Sequence, residues 1–355
     1  MLTEYVKVHL REEEEMMDLS TTYLGLALRN PLVASASPLS QTTDDVRALA
    51  DAGVGAVVLY SLFEEQIRRQ EVADFELVAM HEDSFGEATS YFPEVDISAG
   101  GATPYLRHLE NCVAAVDIPV LGSLNGASLD GWAQCARQME EAGAAAIEVN
   151  PYAVPGDTRV SGASVEQRHV EIVHAVKEAV TIPVAMKLSP FFSATGTMCR
   201  ELDRAGVDGL VLFNRFLQPD IDIEALTVGP SVTLSSPVES GIARTWIAIL
   251  CGRVSASLAA TTGVESGADV VKYLLAGADV VMTASALMRH GPGYATTLLA
   301  ELTGWMERKG FASVGDVRGL LALGDEVDAA EFERAGYVAA LTHAKDMYGD
   351  FLVRA

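Results

Sequence analysis

The stretch ADAGVGAVVLYS at residues 50–61 returns as EEAGAAAIEVNP at 140–151, DRAGVDGLVLFN at 203–214 and LLAGADVVMTAS at 274–285. Each copy reads as a helix end, an Ala-Gly step and an apolar run. The glycine supplies the left-handed residue that closes a helix. The short apolar run behind it, with no polar alternation, fits a strand buried on both faces. A second phrase interleaves, VDIPVLGSLN at 116–125 and VTIPVAMKLS at 180–189, with proline at a strand start where its missing N–H is tolerated.

Two further runs, NPLVASAS at 30–37 and ASLAATTG at 256–263, bring the strands to eight, each followed by room for a helix. Eight βα units in one chain predict a (β/α)8 TIM barrel. The competing open doubly wound sheet lacks its GxGxxG first turn, and the small-residue turns fall at the last two strands instead. Long insertions follow strand two (about 50 residues to strand three) and strand six (about 40 to strand seven), and these are the candidate substrate lids. Residues 1–18 read as an N-terminal segment, 19–310 as the barrel, and 311–355 as a helical C-terminal extension of the same domain, because DAAEFERAGYVAALTHAKDMYGDFL has helix composition.

Composition narrows the function. The formal charge is −24 with 49% hydrophobic residues, a globular chain with no basic patch to attract nucleic acid or an anionic membrane surface. Cys112, Cys135, Cys199 and Cys251 form no CxxC pair, so neither a zinc site nor a redox dithiol is expected, and they read as reduced thiols. No apolar run approaches transmembrane length and the start, with its REEEEMMDLS, has no leader character; the expectation is a cytoplasmic protein.

In a barrel, side chains at the C-terminal ends of the strands face the site. There the sequence sets Ser35 after strand one, Tyr60 after two, Ser123 after three, Asn150 after four, Lys187 at the end of five and Asn214 after six. A lysine closing an otherwise apolar strand is costly to bury without an anionic partner or an electron-rich ligand. Glu148 shares the inward face of Asn150 and is the candidate partner of Lys187. Two asparagine amides on neighbouring strands suit a heterocycle of alternating donors and acceptors. The turns at Thr262-Gly263 and Ala284-Ser285 are small enough for backbone N–H groups to reach an anion, and Ser266 with Asp269 forms a capping box that starts a helix just behind them. Paired carboxylates, a metal-ligand cluster and a Ser/His/Asp arrangement are missing from the strand ends, which argues against hydrolase and metalloenzyme chemistry.

The segments LGLALRNPLVASASPLS, IEVNPY, PVAMKLSPFF, GLVLFN and TTGVESGADVVKYLLAGADVVMTASAL resemble the dihydroorotate dehydrogenase family, its class 1 branch in particular, over residues about 18 to 300. The resemblance implies FMN across the barrel mouth. Its phosphate would lie at Thr262, Gly263, Ala284 and Ser285, its ring beside Ser35, Ala36 and Ser123, and Lys187 at the N1/O2 edge, with Asn150 and Asn214 on an orotate-like substrate. A homodimer is implied too. Three positions depart from the pattern. Ala153 stands where the family carries a Cys or Ser base, Tyr60 replaces a lysine, and Thr262-Gly263 replaces a double glycine. Tyr152 and Tyr60 are the substitutes at hand, better suited as acids than bases, which fits an ene- or imine-type reduction. Two other readings stand beside this one: a non-catalytic flavin-binding subunit serving a redox partner protein, and a flavin-free barrel holding a phosphorylated metabolite with Lys187 as Schiff-base or phosphate-binding lysine.

Overall fold

A computed structural model describes residues 17–64, 102–126, 128–152, 157–215, 219–230, 233–324 and 326–348. All eight predicted strands are present: β3 (Leu32–Ala34), β4 (Ala56–Phe63), β5 (Val120–Asn125), β6 (Ala146–Val149), β7 (Val184–Leu188), β8 (Gly209–Leu212), β11 (Ser257–Ala260) and β12 (Val280–Thr283). They are parallel and close in sequence order, with β12 pairing back to β3 through Met282 opposite Val33. The four Ala-Gly steps behave as read, since Gly53, Gly143, Gly206 and Gly277 all have positive φ.

Inward and outward faces build two cores. Outside, aliphatic strand residues meet the helix layer, where Leu49, Leu109, Trp132, Met139 and Ile172 are almost fully buried. Inside, Ala56, Ala146, Ala185 and Ala259 leave room for a plug among larger aliphatic residues. The plug is a feature the sequence reading did not anticipate. Strands β1 (Thr21–Tyr23) and β2 (Leu26–Leu28) form an antiparallel hairpin that sends Tyr23, Leu24 and Leu28 into the N-terminal end of the barrel. Gly209 at the start of β8 makes way for it, because a Cβ there would lie 2.4 Å from Leu24 Cδ2.

A second unanticipated hairpin, β9 (Pro219–Asp222) with β10 (Thr227–Pro230), stands in the insertion after strand six. Residues 65–101 of the stretch expected as the lid after strand two lie outside the described residues, and its last part forms the helix Thr103–Ala115. Past the barrel, Val314 and Val317 are buried against it, and a helix then spans Ala329–Tyr348 with its described side chains mostly exposed. Among the described residues no helix is long and apolar enough to cross a membrane, and no group of His, Cys, Asp and Glu could hold a metal ion.

Candidate active site at the barrel mouth

Lys187 closes β7 on its inward side, two residues above Ala185 of the inner core. Its Nζ lies 3.3 Å from Glu148 Oε1 and 3.4 Å from Ser35 Oγ. Glu148 is fully buried on β6, and the lysine is nearly so. The lysine's anionic partner is therefore within the protein, as the shared inward face predicted. Among the described residues Glu148 Oε2 has no hydrogen-bond partner, nor has the Tyr23 hydroxyl of the plug.

The two asparagines meet. Asn214 Nδ2 donates to Asn150 Oδ1 at 2.6 Å, while their backbone N–H groups are fixed to Leu188 O and Leu124 O on the neighbouring strands. In this pairing Asn150 retains its NH2 donor and Asn214 its carbonyl acceptor, a donor–acceptor pair held by two strand ends. Tyr152 follows after a tight turn in which its N–H donates to Asn150 O at 2.7 Å. Ala153 lies outside the described residues.

Tyr60 is not part of this cluster. A register shift in β4 between Val58 and Ser61 sends its ring against the outer helix Thr103–Ala115, 5.1 Å from Tyr105 and 5.8 Å from His108. Burial, with a smaller contribution from Cys112, holds the Tyr60 phenol above its usual range, which suits neither acid nor base work near neutral pH. Ser61 occupies the inward place instead and pairs with Ser123 at 2.8 Å between hydroxyl oxygens. Ser123 is fully buried there, its N–H donating to the Tyr105 hydroxyl.

A cleft of about 160 Å3 begins at this cluster and is lined by Ser35, Lys187, Asn214, Gly263, Ala284 and Ser285, among others. Two turns form its far end. Thr283 Oγ1 donates to Val264 O and so ties one turn to the other. Thr262 has φ +80°, an outlier for a β-branched residue, and is held by its own hydroxyl to Phe213 O and by the Tyr273 hydroxyl to Thr262 O. Gly263, at φ +72°, leaves no room for a side chain: a Cβ would lie 2.6 Å from Ser236 O.

Between these turns sits a residue that sequence reasoning missed. Ser235 Oγ accepts from Gly263 N–H at 3.3 Å and donates to Ser285 Oγ at 2.9 Å, and Arg289 secures the Ser235 carbonyl. It belongs to TLSSPVESG, a stretch noted as part of a lid, but its seat in the turn depends on a chain path about 28 residues long that no local pattern reports.

One expectation about this region is corrected. The predicted capping box exists, with Ser266 and Asp269 capping the helix Gly267–Ala276. However, its first N–H groups are already satisfied by carboxylates: Gly267 N–H donates to Glu301 Oε2 at 2.6 Å, and Asp269 Oδ2 accepts from Glu265 and Ser266. That helix end does not face the cleft as an anion donor. With Gly263 N–H taken by Ser235 Oγ, the donors that remain are other N–H groups of the turns and those of the segment opening the short helix Ser285–His290.

A closed parallel barrel with a buried charge pair, coupled amides and a small-residue turn pair at its mouth defines a (β/α)8 protein with a candidate ligand site at its C-terminal face. The chain belongs to the dihydroorotate dehydrogenase family, whose model matches residues 18–306. It is 28% identical over 314 residues to the catalytic subunit of dihydroorotate dehydrogenase B (NAD(+)) of Methanothermobacter thermautotrophicus, covering 85% of this chain and 98% of the relative. The protein of the same name from Thermoplasma acidophilum is 25% identical over 313 residues, 86% of this chain and 99% of its own length.

Proposed function

We propose that this chain is an FMN-dependent oxidoreductase of the dihydroorotate dehydrogenase type, transferring hydride between a dihydropyrimidine-like or related small substrate and flavin N5. The observation that carries this reading is the continuous wall from Lys187 and Ser35 to Gly263 and Ser285 along one cleft. A flavin ring needs a cation at one end and its phosphate needs backbone and hydroxyl donors at the other. The residues fit, because the backbone at Gly263 is bare of a Cβ and Ser235 and Ser285 bring hydroxyls to the same point. Bound there, FMN would supply a two-electron acceptor beside the substrate.

This chain's own residues then divide the work. Gly263, Ala284 and Ser285, with Thr262 shaping the turn and Ser235 lying over it, would hold the phosphate. Ser35, Ala36 and Ser123 would flank the ring. Lys187 would face negative charge at the ring edge. Asn150 and Asn214 would orient the substrate through their remaining donor and acceptor, and Tyr152 would exchange a proton with it. With Tyr60 turned outward, Tyr152 is the stronger candidate of the two tyrosines. The relatives' names as catalytic subunits support a second polypeptide as redox partner, and we take a homodimer as the assembly of the chain itself.

The test is a visible absorption spectrum of the purified protein, followed by anaerobic addition of dihydroorotate. A flavin spectrum that bleaches supports both cofactor and substrate. A flavin spectrum that persists retires dihydroorotate and keeps the flavin. Absence of flavin moves the reading to the metabolite-binding barrel with Lys187 as its reactive amine, which borohydride trapping would then report.

A further inference from the structure

Glu148 is the charged group that the proposed chemistry does not use. It is fully buried, and among the described residues its one hydrogen-bond partner is Lys187. A buried carboxylate is usually quenched by several donors, with both oxygens hydrogen-bonded. Here Oε2 receives none, and the nearby plug contributes Tyr23, whose hydroxyl is likewise unpartnered. The Glu148 charge is therefore compensated by a single ammonium, and that ammonium lines the cleft. In a low-dielectric interior, an incompletely screened charge one residue behind a cleft wall acts strongly on whatever lies in it.

We infer that Glu148 is a positioning residue that anchors the Lys187 ammonium at the cleft and offsets its charge, so that the pair sets the reduction potential of the redox group bound there. This rests on the flavin reading. Lys187 alone would favour the more negative, reduced form of a bound flavin. Glu148 opposes that preference and moderates the potential. The two residues then act in opposite directions on one quantity, which a purely structural ion pair would not do.

The experiment is a midpoint-potential titration of the flavin-loaded full chain in four forms: wild type, Glu148→Gln, Lys187→Met and the double variant. Glu148→Gln leaves the lysine unopposed and should raise the potential by at least 30 mV, equivalent to a tenfold stronger preference for the reduced form. Lys187→Met should lower it by a similar amount. The double variant, with no charge left at the site, should return close to wild type. An unchanged or lowered potential in Glu148→Gln overturns the inference. If Glu148→Gln fails to fold, Glu148→Ala takes its place: a rise of 30 mV or more upholds the inference, and an unchanged or lowered potential overturns it. A wild-type chain that binds no flavin when purified or when FMN is added overturns the flavin reading and this inference together, an outcome distinct from a flavoprotein whose potential ignores Glu148.

Discussion

Replacing Gly263 by alanine tests the turn at the head of the cleft. Two costs are expected. A Cβ at φ +72° costs about 1–2 kcal/mol in the left-handed region. The same Cβ would lie 2.6 Å from Ser236 O and 3.0 Å from Ser240 N, backbone atoms that must move as a unit, and such overpacking adds about 1–3 kcal/mol. The loss of glycine's freedom in the unfolded chain returns about 0.4–1 kcal/mol. The net destabilisation is then about 1–5 kcal/mol. Gly25→Ala is the matched control, because Gly25 has nearly the same φ, +76°, with nothing within 4 Å of its would-be Cβ. That variant should lose only about 1 kcal/mol. Urea denaturation of both variants separates the backbone cost from the contact cost, provided the slope of the transition is unchanged. Equal stability of the two would show that the segment at Ser236 and Ser240 yields freely, and would refute the rigid turn on which the cleft depends. Because the same segment seats Ser235 between the turns, Gly263→Ala should also weaken flavin retention, measured by the flavin-to-protein absorbance ratio after gel filtration.

At Thr262 the hydroxyl bond to Phe213 O and the positive φ pull in opposite directions. Thr262→Val should therefore cost about 1–2 kcal/mol, whereas Thr262→Gly should stay within about 1 kcal/mol of wild type, both read by urea denaturation. Burial would raise the Asp269 carboxyl, but the bonds from Ser266, Lys272 and the Glu265 and Ser266 N–H groups outweigh it and hold it below the usual aspartate range. A lowered folded value means stability that is present above the unfolded aspartate range and disappears as pH falls through the folded one. Asp269→Asn should thus cost about 1 kcal/mol at pH 7, and the gap from wild type should close on acidification below about pH 4. Ser235→Ala should leave the melting temperature within a few degrees of wild type while raising the dissociation constant for FMN, since its hydroxyl touches both Gly263 N–H and Ser285.

The barrel was legible because its strands repeat: four Ala-Gly steps and two Ile-Pro starts punctuate the chain at the periodicity of a βα unit. The charge pair was legible for a similar reason, since Glu148 and Lys187 interrupt apolar strands at inward positions whose parity can be counted. Tyr60 shows where counting fails. In AVVLYSLF no polar alternation marks a face, so the register shift between Val58 and Ser61 leaves no trace in the sequence while exchanging the roles of Tyr60 and Ser61. The hairpin after strand six went unread: Ile221 and Val228, paired across it, leave apolar side chains exposed, the reverse of what apolar strand residues usually mean. Ser235 had no signal at all, because its neighbours in space come from two other strands.

The hairpin that seals the base of the barrel has a kinetic consequence. With Tyr23 fully buried in the floor, the hairpin fills the N-terminal end of the barrel. Under the proposed function, a small molecule that reacts above Lys187 comes and goes by the C-terminal mouth, and product and fresh substrate compete for that passage. Such traffic appears in steady-state measurements as product inhibition competitive with the substrate. Two three-residue strands on the far side of the molecule thus bear on ligand exchange at the mouth.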